Sequence, residues 1–77
     1  MPHVIVKMHR GRSEQDKQRL ADEITKAVKA VLKHGDDAIS VGIEDVDPAD
    51  WTETVYRPDI LNKPDSIYKK PGYDPFR

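Results

Sequence analysis

The stretch between Ser13 and Gly35 constrains this chain more than any other. Leu20, Ile24, Ala27, Val28, Val31 and Leu32 recur at spacings of 4, 3, 1, 3 and 1. That is one face of a helix of period 3.6. Ser13 reads as its N-cap, with Glu14 and Asp16 putting negative charge on a first turn where the helix dipole favours it. Lys33 and His34 stand at the C-terminal end, with Gly35 expected as the C′ residue. On either side lie short alternating runs. Val4, Val6 and Met8 alternate with His3, Ile5, Lys7 and His9, and Ile39, Val41 and Ile43 alternate with Ser40, Gly42 and Glu44. Both read as strands with an apolar face.

Strand, long helix, strand with short connections is a βαβ unit, so the strands should be parallel and the crossover right-handed. A helix of some 20 residues spans roughly 30 Å, enough to return the chain past a strand of ~20 Å. Two parallel strands under one helix still lack cover. The chain has 77 residues and no cysteine, so neither a large core nor disulfides can compensate. Self-association into a larger sheet is the remaining route. One domain spanning residues 1–77 is expected.

The rest is less regular. Asp47-Pro48 resembles a helix start, with Asp47 as N-cap and Pro48 at the first helical position. Trp51 and Val55 would share a face of that helix, and Arg57-Pro58 is expected to bend or end it. Short helical turns are expected between Asp59 and Lys70, punctuated by Pro64, and residues 71–77 form an irregular tail.

Charge narrows the function. The net charge of −1 argues against a dedicated nucleic-acid binder. Residues 7–33 carry eight Lys/Arg against four Asp/Glu, while residues 36–54 carry seven acids and no base. Such runs are solvated faces that also help one subunit meet another. No apolar run is long enough for a membrane span, and no basic flank precedes an apolar signal region, so a cytosolic protein is expected. His3, His9 and His34 have no metal-ligand spacing and read as surface or strand residues; no acidic cluster suggests a metal, and no glycine-rich phosphate loop occurs.

Pro2 is the residue with unusual chemistry. Removal of Met1 would leave a secondary amine at the chain terminus, and an α-amino group titrates near neutrality, at roughly 7.7–8.0. Desolvation or a nearby cation disfavours its protonated form and lowers that value. A neutral amine is what a general base requires.

A starting proline on a strand, Gly11-Arg12-Ser13 at the strand-to-helix turn, a capped amphipathic helix and a second strand together resemble the tautomerase superfamily. The likeness is to its 4-oxalocrotonate tautomerase group, and Tyr68-Lys69-Lys70-Pro71-Gly72-Tyr73 resembles the tail of the longer PptA-type members. The resemblance implies a tautomerase/MIF-like α/β fold of βαβ protomers, assembled as a homodimer or homohexamer, working without cofactor or metal. It implies that Pro2, freed of Met1, shuttles a proton between oxygen and carbon of a keto–enol pair. Arg12 falls where the family binds a substrate carboxylate, a role suited to a planar guanidinium; Arg10 competes for it. Trp51 falls where an aromatic walls the pocket. The family's second arginine falls at Ser40, which carries no charge, so Ser40 is retained as a substrate-binding position. The expected substrate is then a monocarboxylate enol such as an arylpyruvate rather than a dicarboxylate. Hydration, dehalogenation or decarboxylation of related acids is the rival chemistry. A non-catalytic oligomeric binding module is the rival class if Met1 is retained.

Overall fold

The computed structural model describes all of residues 1–77. The chain divides into two compact units, Met1–Val46 and Asp47–Arg77.

The first unit is a βαβ arrangement. Strand β1 covers His3–His9, helix α1 Glu14–Leu32 and strand β2 Ser40–Val46. The strands pair in parallel with His3 opposite Ser40, Ile5 opposite Gly42 and Lys7 opposite Glu44. Arg10 prolongs the ladder by one step, its N–H donating to the Val46 carbonyl at 3.1 Å. Helix α1 begins as its sequence dictates: the Ser13 hydroxyl accepts from the Asp16 N–H at 3.0 Å, satisfying a donor the first turn leaves open.

Its C-terminus departs from expectation. The left-handed cap residue is Lys33, at φ 60°, and not Gly35; the Lys33 N–H closes the last turn on the Lys29 carbonyl at 3.0 Å. Gly35 instead opens a 3₁₀ turn, Asp36–Ala38, that leads directly into β2. The connection is short, so the chain reverses at the first residue after Leu32, whatever its side chain.

The packing face of α1 also differs from the apolar list. Ile24 and Val28 are half-buried, but they share that face with Lys17, Ala21 and Thr25. Leu20, Ala27, Val31 and Leu32 are exposed, Val31 to 75%. Two strands are too narrow to cover the full apolar arc of the helix. Lys17 earns its half-buried position through chemistry: its ammonium meets Asp45 of β2 at 2.5 Å and Glu14 at 3.3 Å. These contacts place α1 over the face carrying Val4, Val6, Met8 and Asp45. The face with His3, Ile5, Ser40 and Gly42 points away from the helix.

No residue of this unit is buried, and Ile5 on the helix-free face is 52% exposed. A βαβ unit of this size has no interior of its own.

The second unit holds the chain's two buried residues, Val55 and Tyr56. Asp47 caps the 3₁₀ turn Pro48–Asp50 as expected, its carboxylate accepting from the Ala49 N–H at 3.0 Å. After Trp51 the chain continues as a π-helix over Thr52–Leu61, running through Pro58 and not ending there. Widening the helix is what accommodates the proline. The ring would collide with the carbonyl four residues back in an α-helix, whereas i→i+5 pairing, as in Asn62 N–H to Arg57 O at 3.1 Å, shifts that carbonyl aside. A 3₁₀ turn at Pro64–Ser66 follows, as the sequence suggested. The tail is irregular but anchored: the Tyr73 and Phe76 rings lie 5.6 and 5.7 Å from that of Tyr56, and the Arg57 guanidinium sits 4.8 Å over Phe76.

Candidate active site

Strand β1 carries the candidate proton carrier at one end. Pro2 immediately precedes the strand and is half-buried, while Met1 before it is 97% exposed. The Pro2 carbonyl accepts the Ser40 N–H at 3.2 Å, so the first rung of the ladder fixes the proline's backbone. With Met1 attached the Pro2 nitrogen is an amide; its removal turns the same atom into a secondary amine already held in place by that rung.

Ser40 therefore belongs beside Pro2, and it brings a second residue with it. Its hydroxyl lies 2.6 Å from His3 Nδ1 across the two strands. The His3 ring extends over Gly42, where an added Cβ would touch Cε1 at 3.8 Å. Sequence periodicity placed His3 on an exposed strand face, where it is. The cross-strand partnership was out of reach, because it depends on the register that sets His3 against Ser40. The one usable signal was position: a histidine next in sequence to the proline.

Arg12 lies at the opposite end of the unit. Seven strand residues at about 3.3 Å each separate the two ends of β1, so Pro2 and Arg12 of one chain stand ~20 Å apart. Arg12 is in the β1–α1 turn after Gly11, which adopts φ 120°, a conformation side-chain-bearing residues rarely take. Its guanidinium makes a loose, exposed ion pair with Asp16 at 3.9 Å, worth little, and so stays available to an anion. Together with Met8, Asp16, Arg19, Leu20 and Glu23 it lines a groove of about 390 Å³ with an apolar floor. Arg10 spends its backbone on the ladder.

Trp51 belongs to the second unit. Its indole Nε1–H donates to the Tyr73 hydroxyl at 2.8 Å, which fixes the ring's orientation. The sequence offers Tyr73 only as part of the tail run Tyr68–Tyr73, not as a partner of Trp51; an aromatic in an irregular tail carries no periodic signal.

The electrostatics of the first unit centre on Lys17. Its hydrogen bond to Asp45, helped by Glu14, raises its pKa above the ordinary lysine value of 10.5. No three His, Cys, Asp or Glu side chains converge in a metal-binding group, and no helix is long and apolar enough to cross a membrane.

The sequence model of the family described as tautomerase enzyme matches residues 2–54, beginning at the proline. A probable tautomerase of Xylella fastidiosa (strain 9a5c) is 45% identical over 95% of this chain and 89% of its own. Tautomerase PptA of Cronobacter sakazakii is 35% identical over 96% of this chain and 99% of its own. Among solved structures, YwhB, a homologue of 4-oxalocrotonate tautomerase, superposes with a TM-score of 0.58 at 37% identity, covering 60% of this chain and 75% of that one. TomN, another such homologue, from the tomaymycin biosynthetic pathway, gives 0.63 at 30% identity over 65% and 77%. The chain belongs to the tautomerase family of isomerases.

Proposed function

We propose that the protein is a cofactor-independent keto–enol tautomerase acting on a 2-keto carboxylic acid, of which an arylpyruvate enol is the model substrate, with the Pro2 amine moving the proton onto and off carbon. The observation that carries this reading is the anchoring of Pro2 at the head of β1 by the Ser40 N–H, with Met1 before it exposed. The pyrrolidine ring removes rotation about the N–Cα bond, so the lone pair is aimed before substrate arrives.

The ~20 Å that strand β1 puts between Pro2 and Arg12 of one chain supports a site completed between copies. Arg12 serves the Pro2 of another copy, gripping the carboxylate through two parallel hydrogen bonds. Its charge then also disfavours protonation of that amine and holds its pKa below the free-amine range of roughly 7.7–8.0. The lack of any buried residue in the βαβ unit supports the same arrangement, since assembly is what would give it an interior.

The test is ketonisation of phenylpyruvate enol by the protein lacking Met1, followed by absorbance. The wild-type rate should exceed that of Pro2→Ala by at least ~10²-fold, the usual scale of a positioned acid–base group. Equal rates would take Pro2 out of the chemistry.

A further inference from the structure

Ketonisation has two ends. Carbon gains a proton and oxygen loses one, and Pro2 is a single amine. From the His3–Ser40 pair we infer that His3 is a second catalytic residue, its Nε2 taking the enol hydroxyl proton while Pro2 delivers a proton to carbon. This rests on the proposed tautomerase reading and adds a group to it.

Three features of the structure support it. First, His3 Nδ1 is engaged by the Ser40 hydroxyl at 2.6 Å, which leaves Nε2 as the ring's other nitrogen, above Gly42 on the sheet face that α1 does not cover. Second, the reach is right. Adjacent Cα atoms are about 3.8 Å apart, so Nε2 stands at most ~10 Å from the Pro2 nitrogen. An enol joined to each nitrogen by a hydrogen bond of roughly 3 Å spans about 8 Å. The Pro2 nitrogen lies on the backbone at the strand's end, so a molecule against it can extend onto either face.

Third, the partner is suited to a proton cycle. A hydroxyl both donates and accepts. When Nε2 is bare, the Nδ1–H donates to Ser40 Oγ; when Nε2 gains a proton, that same bond persists in the imidazolium. The ring therefore does not have to move between the two states. Gly42 lies beneath the ring, where even an added Cβ would only reach van der Waals contact with it. Farther along the same face the next charged residues are Lys7 and Glu44, opposite one another in the register.

The step balances. Pro2, having taken a proton from solvent, gives it to C3 as the C2=C3 π pair forms the new C–H bond; a lowered pKa makes that ammonium the stronger acid. The enol O–H pair becomes the C2=O π bond, and that proton passes to Nε2. Pro2 is left neutral and His3 protonated, and solvent resets both.

The test uses the full chain lacking Met1, with phenylpyruvate enol as probe. His3→Ala should lower kcat ~10²-fold with KM changed by less than about threefold, and added imidazole should restore at least about a tenth of the lost rate. His3→Gln keeps a hydrogen-bonding group but cannot relay a proton, so it should be as slow as His3→Ala. Ser40→Ala, which only frees the ring, should lose about fivefold. His3→Ala within about threefold of wild type, a His3→Gln enzyme at wild-type rate, or no response to imidazole would overturn the assignment. A wild-type enzyme that fails to ketonise the enol would instead overturn the reading beneath it.

Discussion

Trp51 Nε1 donates a 2.8 Å hydrogen bond to Tyr73 Oη, tying the residue at the head of the π-helix to the chain's tail. The Tyr73 ring rests against buried Tyr56, and Phe76 meets the same ring edge-on. An otherwise irregular tail thus determines how the indole is held. Trp51 is the chain's single tryptophan, so its fluorescence reports this bond directly. Tyr73→Phe should shift the emission to the red and lower stability by about 1 kcal/mol, the net value of one hydrogen bond. Unchanged emission would show that the bond does not orient the ring.

Lys33 holds a left-handed conformation, φ 60°, with a full side chain. That costs an L-residue roughly 1–2 kcal/mol, while glycine adopts it freely but loses more entropy on folding. Lys33→Gly should therefore stabilise the protein by about 1 kcal/mol, measured by urea unfolding at fixed protein concentration. Destabilisation would mean that the Lys33 side chain contributes more than its strain costs.

The Lys17–Asp45 contact joins α1 to β2 and raises the lysine's pKa. A raised folded-state value means that the charged form is favoured by folding. Its stabilisation is complete below 10.5 and is lost as pH climbs through the raised value above it. The stability difference between wild type and Lys17→Met should shrink across that alkaline window in thermal melts. A difference that stays constant through the window would contradict the pairing.

A site that takes Pro2 from one chain and Arg12 from another can be rebuilt from two inactive parents. Mixing Pro2→Ala and Arg12→Ala chains after unfolding should recover about one quarter of wild-type activity, because random assembly leaves that share of sites with both residues intact. Recovery of nothing beyond the parents would place both residues in the same chain's site.

Periodicity alone carried the βαβ unit, since each element has a clear period and a local start signal. Ser13 and Asp47 cap their helices as read, because capping depends on residues three positions apart or fewer. The misjudged places were those governed by neighbours in space. Arg57-Pro58 was expected to bend or end a helix, and a wider helix runs through it instead. Leu20 and Val31 were assigned to a packed face that two strands cannot fully cover, and Lys17 took a place there because Asp45 waits across the interface. Of the candidate site, the sequence offers Pro2, Arg12, Ser40 and Trp51 only as residue types in order. It does not offer their distances. That Ser40 pins Pro2 and His3 while Arg12 sits at the other end of β1 follows from the register and length of the strands, which no local pattern encodes.

The most direct measurement compares two forms of the same chain, one beginning at Pro2 and one with Met1 retained, confirmed by intact mass and assayed side by side for ketonisation of phenylpyruvate enol. The account predicts full activity in the first and a rate near the uncatalysed background in the second, because an amide nitrogen has no basic lone pair to offer. Equal rates in the two forms would contradict it.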